Sequence, residues 1–229
     1  MHALAAVLAT VAAAALVAVQ PLAGRRRYRR LLETLPDDPA ARLRHYRRGI
    51  VGEWSAVGLL VVIGVLAGRS PASIGLTGGR HAAAAAAEVA EVGLALAASA
   101  ILFRAPALRS TLRRQAGGFI ALLPRTADER AAFALVAVTA GVCEELIFRG
   151  FGIAYVRWLW PGATHFWLVA LTAAGFGFAH LYQGARGVIL TGVVGAVLAS
   201  LVLATGSLYP AMAIHALVDL RVLALPPLV

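Results

Sequence analysis

Ala131-Ala132-Phe133-Ala134-Leu135-Val136-Ala137-Val138-Thr139-Ala140-Gly141-Val142-Cys143-Glu144-Glu145-Leu146-Ile147-Phe148-Arg149 is the stretch on which the fold turns. An apolar run leads into two adjacent carboxylates, and apolar residues resume after them. A charge near the centre of a bilayer costs roughly 2.5–3.5 kcal/mol, so ionisable residues in such a run are functional candidates. Later apolar segments hold two more polar positions at helical spacing, Phe176 with His180 and His215 with Asp219. Together they point to chemistry done inside a membrane.

The rest of the chain agrees. Of 229 residues, 60% are hydrophobic and only 14% charged, with a mean hydropathy of +0.80, against about one-quarter charged in ordinary soluble domains. The expected fold class is all-α, a polytopic transmembrane helical bundle. A net charge of +10 comes from 21 basic residues, all of them Arg. They cluster beside apolar spans, where the positive-inside rule and anionic headgroups account for them. Nucleic-acid binding is therefore not expected, and the bilayer is the expected partner of these charges. The Arg and Ala richness fits a bacterial source, hence a bacterial plasma-membrane protein.

At about 20 residues per crossing, seven spans can be marked, within a range of six to eight. The first runs from Met1 to about Gly24 and ends on Arg25-Arg26-Arg27-Tyr28-Arg29-Arg30, the pattern of an uncleaved anchor with its amino end outside. The second covers about Gly49 to Gly68 and the third about His81 to Phe103. The third carries Glu88 and Glu91, either a second polar site or two carboxylates favoured by a helix N-terminus. The fourth begins near Ala131 and continues to about Gly150 or beyond, which, with its start in the cytoplasm, sets Glu144 past its middle, towards the outer face. Trp158, Trp160 and Trp167 bracket the Pro161-Gly162 turn as an interfacial belt. The fifth covers about Thr164 to Leu181, the sixth about Gly187 to Thr205, and the seventh starts near Ser207 and leaves a tail through Pro226-Pro227. Arg-rich connections at 25–48 and 104–130 lie in the cytoplasm by the same charge rule. The expected division is residues 1–130 as N-terminal helices and basic loops, and residues 131–225 as the catalytic core.

On a helix, Glu145 and Arg149 are four apart and share a face, whereas Glu144 points about 100° away. Arg149 can pair with Glu145, which lowers the burial cost. Glu144 is left free for general acid/base work. His180 follows the small-residue run Gly175-Phe176-Gly177-Phe178-Ala179, and His215 shares a face with Asp219. A neutral histidine can serve as donor, acceptor, ligand or proton shuttle. The lone cysteine, Cys143, forms no internal disulfide and reads as a packing residue.

Glu144-Glu145-Leu146-Ile147-Phe148-Arg149-Gly150 resembles the first motif, Glu-Glu-x-x-x-Arg, of the CPBP intramembrane proteases, the group of type II CAAX prenyl endopeptidases and bacteriocin-processing or self-immunity proteins. Phe176-Gly177-Phe178-Ala179-His180 resembles the second, Phe-x-x-x-His. His215-Ala216-Leu217-Val218-Asp219, after Gly206-Ser207-Leu208-Tyr209-Pro210, resembles the third, His-x-x-x-Asn or His-x-x-x-Asp. The resemblance covers about Ala131 to Leu220. It implies peptide-bond hydrolysis without a covalent intermediate, with Glu144 and His180 activating water and His215 and position 219 binding the oxyanion. Glu145 and Arg149 would support them. Many members have Asn at position 219, and an ionised Asp can only accept hydrogen bonds. Either Asp219 is protonated, or it orients and charges His215.

The expected partner is a peptide or membrane-protein substrate, and no cofactor is required. Two rivals stay open: a zinc-dependent membrane metalloprotease with Glu144, His180, His215 and Asp219 as ligands, and a non-catalytic immunity or scaffold protein of the same fold. Paired broken helices and inverted halves, the marks of a transporter, are not visible.

Overall fold

The computed structural model describes residues 3–79, 82–102 and 117–224. Within them the chain forms seven helical stretches, one for each span expected from the sequence. They are α1 (Ala3–Thr34), α2 (Ala41–Leu66), α3 (Ala82–Leu102), α4 (Ala127–Leu159), α5 (His165–Ala179), α6 (Gly184–Thr205) and α7 (Tyr209–Ala224). By length and composition, α1, α2, α4 and α6, the last counted from Leu181, can each cross a membrane, and α5 is a shorter apolar helix. No strand occurs among the described residues. Part of the second basic connection, Arg104 to Arg114, and the Pro226-Pro227 tail lie outside them.

The bundle is built around α4, which packs against α2 on one side and α7 on another; α5 pairs with α6, α3 with α7 and α1 with α2. Large apolar side chains face outwards, among them Val65 on α2, Leu94 on α3, Phe166 on α5 and Ile189 on α6. Such an exterior suits lipid, whose tails are as apolar as the side chains themselves. Inside, Ile153, Leu168, Leu198, Leu208 and Ala211 form the main buried cluster between α4, α5, α6 and α7.

Two sets of polar contacts hold the ends. At the Arg-rich end, Thr126 and Glu129 cap α4 reciprocally: the Thr126 hydroxyl accepts from Glu129 N–H, and the Glu129 carboxylate accepts from Thr126 N–H. This capping box satisfies donors that every helix start leaves unpaired. The same carboxylate accepts from Arg42 Nη1 at 2.7 Å and from Arg125 N–H at 2.6 Å, while Arg42 Nε donates to Ala121 O at 2.9 Å. At the opposite end, Leu208 N–H donates to Gly75 O at 2.8 Å and Ser207 Oγ donates to Thr77 O at 2.6 Å. The connection after α2 is thereby clasped to the turn between α6 and α7.

One expectation about α4 needs adjusting. The helix continues beyond Gly150, to Leu159, so Glu144 sits close to its midpoint, not towards its outer end. Its hydrogen bonding changes directly after the double glutamate, where Leu146–Gly152 is π-helical. Such insertions occur mostly as single turns, often at functional sites.

Candidate active site

The polar residues singled out by spacing come together in space. Glu144, Glu145 and Arg149 belong to α4, His180 closes α5, and His215 and Asp219 belong to α7. Glu145 is fully buried, and its Oε1 accepts two hydrogen bonds: from Arg149 Nη1 at 2.7 Å and from His215 Nδ1 at 2.8 Å. The expected Glu145–Arg149 pair is therefore present and has a third member. The Arg149 guanidinium is also buried. It donates through Nη2 to Gly195 O at 2.9 Å and lies 4.3 Å from the centre of the Phe176 ring. Burying an ion pair requires such extra partners, because desolvation can exceed the Coulombic gain.

Phe176 organises both histidines. Its carbonyl accepts from His180 Nδ1 at 2.9 Å, and its ring stands edge-on to His215, with centroids 5.7 Å apart. A carbonyl can only accept, so Nδ1 of His180 carries the proton; the carboxylate of Glu145 fixes His215 the same way. Each imidazole then presents Nε2 to Glu144. The distances to Glu144 Oε2 are 3.9 Å from His180 and 3.7 Å from His215. Asp219 Oδ2 is 3.9 Å from the same His215 Nε2. Glu144 and His180 are mostly covered, whereas the Asp219 side chain is 38% exposed, so the cluster opens at Asp219.

Backbone contact fixes how close these helices come. A side chain at Gly141, one turn before Glu145, would place its Cβ 2.8 Å from the Cβ and N of Ala216, the neighbour of His215. A Cβ at Gly195 would meet Phe176 Cδ1 at 2.9 Å and Arg149 Nη2 at 3.2 Å. Helices with small residues at the crossing approach this closely, and here the crossing sets the distance between Glu144 and His215.

Three residues not singled out by sequence also face the site. Glu53 on α2 lies within Coulombic range of Glu144, His215 and Asp219. Tyr182, in the turn after His180, has its ring 5.9 Å from that imidazole and its hydroxyl accepts from Gln183 Nε2 at 3.1 Å. Gly195 supplies the carbonyl for Arg149. Glu53 stands five residues beyond the basic run at Arg48, so it reads as an interfacial charge; the other two carry no charge to draw notice. Cys143 is fully buried against Val57 and Ile147, as a packing residue would be. Glu88 and Glu91 are exposed on α3 and do not join the cluster. Among the described residues, no three His, Cys, Asp or Glu side chains are grouped so as to hold one metal ion.

The arrangement offers a carboxylate with two imidazoles aimed at it, backed by a buried ion pair. Comparison with known proteins bears on the same part of the chain. Residues 126–221 match the family described as type II CAAX prenyl endopeptidase Rce1-like, a segment that spans α4 to α7 and contains all six residues. No curated protein and no solved structure matches the chain.

Proposed function

We propose that this chain, residues 126–221 of which match the type II CAAX prenyl endopeptidase Rce1-like family and whose described helices include four long and apolar enough to cross a membrane, is an integral membrane protease that works by a glutamic mechanism. It hydrolyses a peptide bond in a peptide or membrane-protein substrate, in the plasma membrane of a bacterium. Residues 131–225 are the catalytic core, and residues 1–130 hold it in the bilayer.

One observation carries the reading: Nε2 of both histidines faces Glu144 Oε2, at 3.9 and 3.7 Å. Those separations are too long for direct hydrogen bonds and of the kind that one water bridges. Water held there gives its proton to Glu144 as its oxygen attacks the scissile carbonyl carbon. His180 keeps that water oriented. The developing oxyanion is met by His215, which can donate from Nε2 only as an imidazolium because its Nδ1 proton is given to Glu145, and by Asp219, which either donates as a carboxylic acid or holds His215 charged. Removing one oxyanion donor typically costs 10²–10³ in rate. The proton on Glu144 then passes to the leaving amine as the C–N bond breaks. Glu145 is the supporting carboxylate in this scheme, its Oε1 engaged by Arg149 and His215.

The test is comparative membrane proteomics of the wild type and Glu144→Gln. A peptide that accumulates uncleaved only in the variant is expected. No such peptide, with biological activity retained at normal membrane levels, would sink the protease reading and favour a scaffold of the same fold.

A further inference from the structure

The two histidines of the site are held in different ways. His215 stands inside α7, buried, with a charged partner in Glu145. His180 stands where α5 stops: its φ and ψ, −92° and 22°, are no longer those of an α-helix, and a 3-10 turn follows at Leu181–Gln183. Helix ends fray, and a single hydrogen bond, from Nδ1 to Phe176 O, leaves the imidazole free to pivot about it. Ring contacts supply the rest. The imidazole centroid is 4.8 Å from that of Phe176 and 5.9 Å from that of Tyr182, within the roughly 4.5–7 Å at which aromatic pairs attract. Tyr182 lies in turn 5.6 Å, centroid to centroid, from Tyr28 on α1. Tyr28 is buried with Leu31, Ala41 and Leu122, and Tyr182 packs against that cluster. In this way α1, which lies outside the matched residues 126–221, reaches the turn that follows His180.

Resting on the reading of His180 as the group that orients the attacking water, we propose that Tyr182 and Tyr28 are positioning residues: the Tyr182 ring is the backstop of the His180 imidazole, and Tyr28 holds that ring in place. Both act through His180. With the pivot blocked, Nε2 stays aimed at Glu144 Oε2 across the 3.9 Å that one water bridges. The ring faces carry this role rather than the hydroxyl groups, so phenylalanine can fill it and leucine, which has no flat face, cannot. The first helix of the chain is thereby a support of the active site as well as a membrane anchor.

The test uses purified full-length protein with isotope-labelled histidine in bilayer discs. The imidazole resonance of His180, identified by its loss in His180→Gln, is followed by nuclear magnetic resonance. Among the described residues Tyr28 has its ring contact with Tyr182 and none with His180, so Tyr28→Leu takes no ring from beside the imidazole. It should nevertheless shift or broaden the resonance, whereas Tyr28→Phe and Tyr182→Phe should leave it in place. A resonance that Tyr28→Leu does not move overturns the proposal; Tyr28→Met serves the same comparison if the leucine variant does not accumulate. In a cleavage assay on the peptide that accumulates in Glu144→Gln cells, Tyr182→Leu should lower kcat about tenfold, the upper end of what one aromatic contact contributes, with KM unchanged. Tyr182→Phe should recover most of that loss. In the residual cleavage by His180→Gln, Tyr182→Leu should add no further loss, because the group it positions is gone. Equal loss in the phenylalanine and leucine variants, or the full loss repeated without His180, counts against the backstop. Cleavage by Glu144→Gln itself would instead remove the protease reading and leave the resonance result to stand alone.

Discussion

Arg149 is the residue on which the site's stability rests. Its guanidinium is wholly enclosed, and it touches a carboxylate, a backbone carbonyl and an aromatic face at once. Removing it strands Glu145, which is also fully buried. Breaking a buried pair from one side costs about 3–5 kcal/mol, because the remaining charge has no compensation. Arg149→Met should therefore lower the thermal midpoint in detergent by an amount of that order. The double variant Glu145→Gln with Arg149→Met should regain part of it, since no charge is then left alone. A single variant that melts like the wild type would show that His215 alone suffices for Glu145. Four-residue spacing made the Glu145–Arg149 pair legible in the sequence. Its link to His215 was not, because nothing local relates residues seventy positions apart.

Helix crossings, more than individual side chains, decide whether the two halves of the site meet. At Gly141 even a methyl group would press on the Ala216 backbone, so α4 and α7 must separate to admit one. Overpacking of this kind costs about 1–3 kcal/mol. Gly141→Ala should lower the thermal midpoint accordingly. Gly58, on α2 with no atom within 4 Å of where a methyl group would stand, is the control: Gly58→Ala should be neutral or slightly stabilising, since alanine favours the helix. Equal melting of the two variants would mean that the α4–α7 crossing yields more easily than its geometry implies. Sequence reading found the helices by hydropathy but not their crossings, for a glycine looks alike whether lipid or a neighbouring backbone lies beside it. The same blindness hid Glu53, whose burial depends on α2 lying against α4.

For the molecule as a whole, the distribution of Arg predicts the orientation in the bilayer. The Arg-rich end of α1 and the start of α2 lie together, and α2 then carries the chain to Arg69 at the far side. With Cys143 replaced by Ala, an impermeant maleimide should label Arg69→Cys in intact cells and Arg27→Cys only after the membrane is opened, both positions being accessible at the surface. The reverse pattern would overturn the basic-inside assignment. The seven helical stretches were readable because the bilayer leaves a chain few alternatives. The depth of Glu144 within α4 was not, since two glycines, Gly150 and Gly152, mark no end and the helix continues to Leu159. The π-helical turn at Leu146–Gly152 adds a constraint of another kind. The wider turn takes up chain that an α-helix would not, and so fixes the phase between the helix before it and the helix after it. Deleting a residue from the α-helical turns ahead of it would rotate everything that follows by about 100°, turning Tyr155 and Trp158 to new neighbours, whereas a deletion inside the turn can be absorbed by its tightening to α-helix. In this stretch the chain encodes its structure by counting as well as by chemistry.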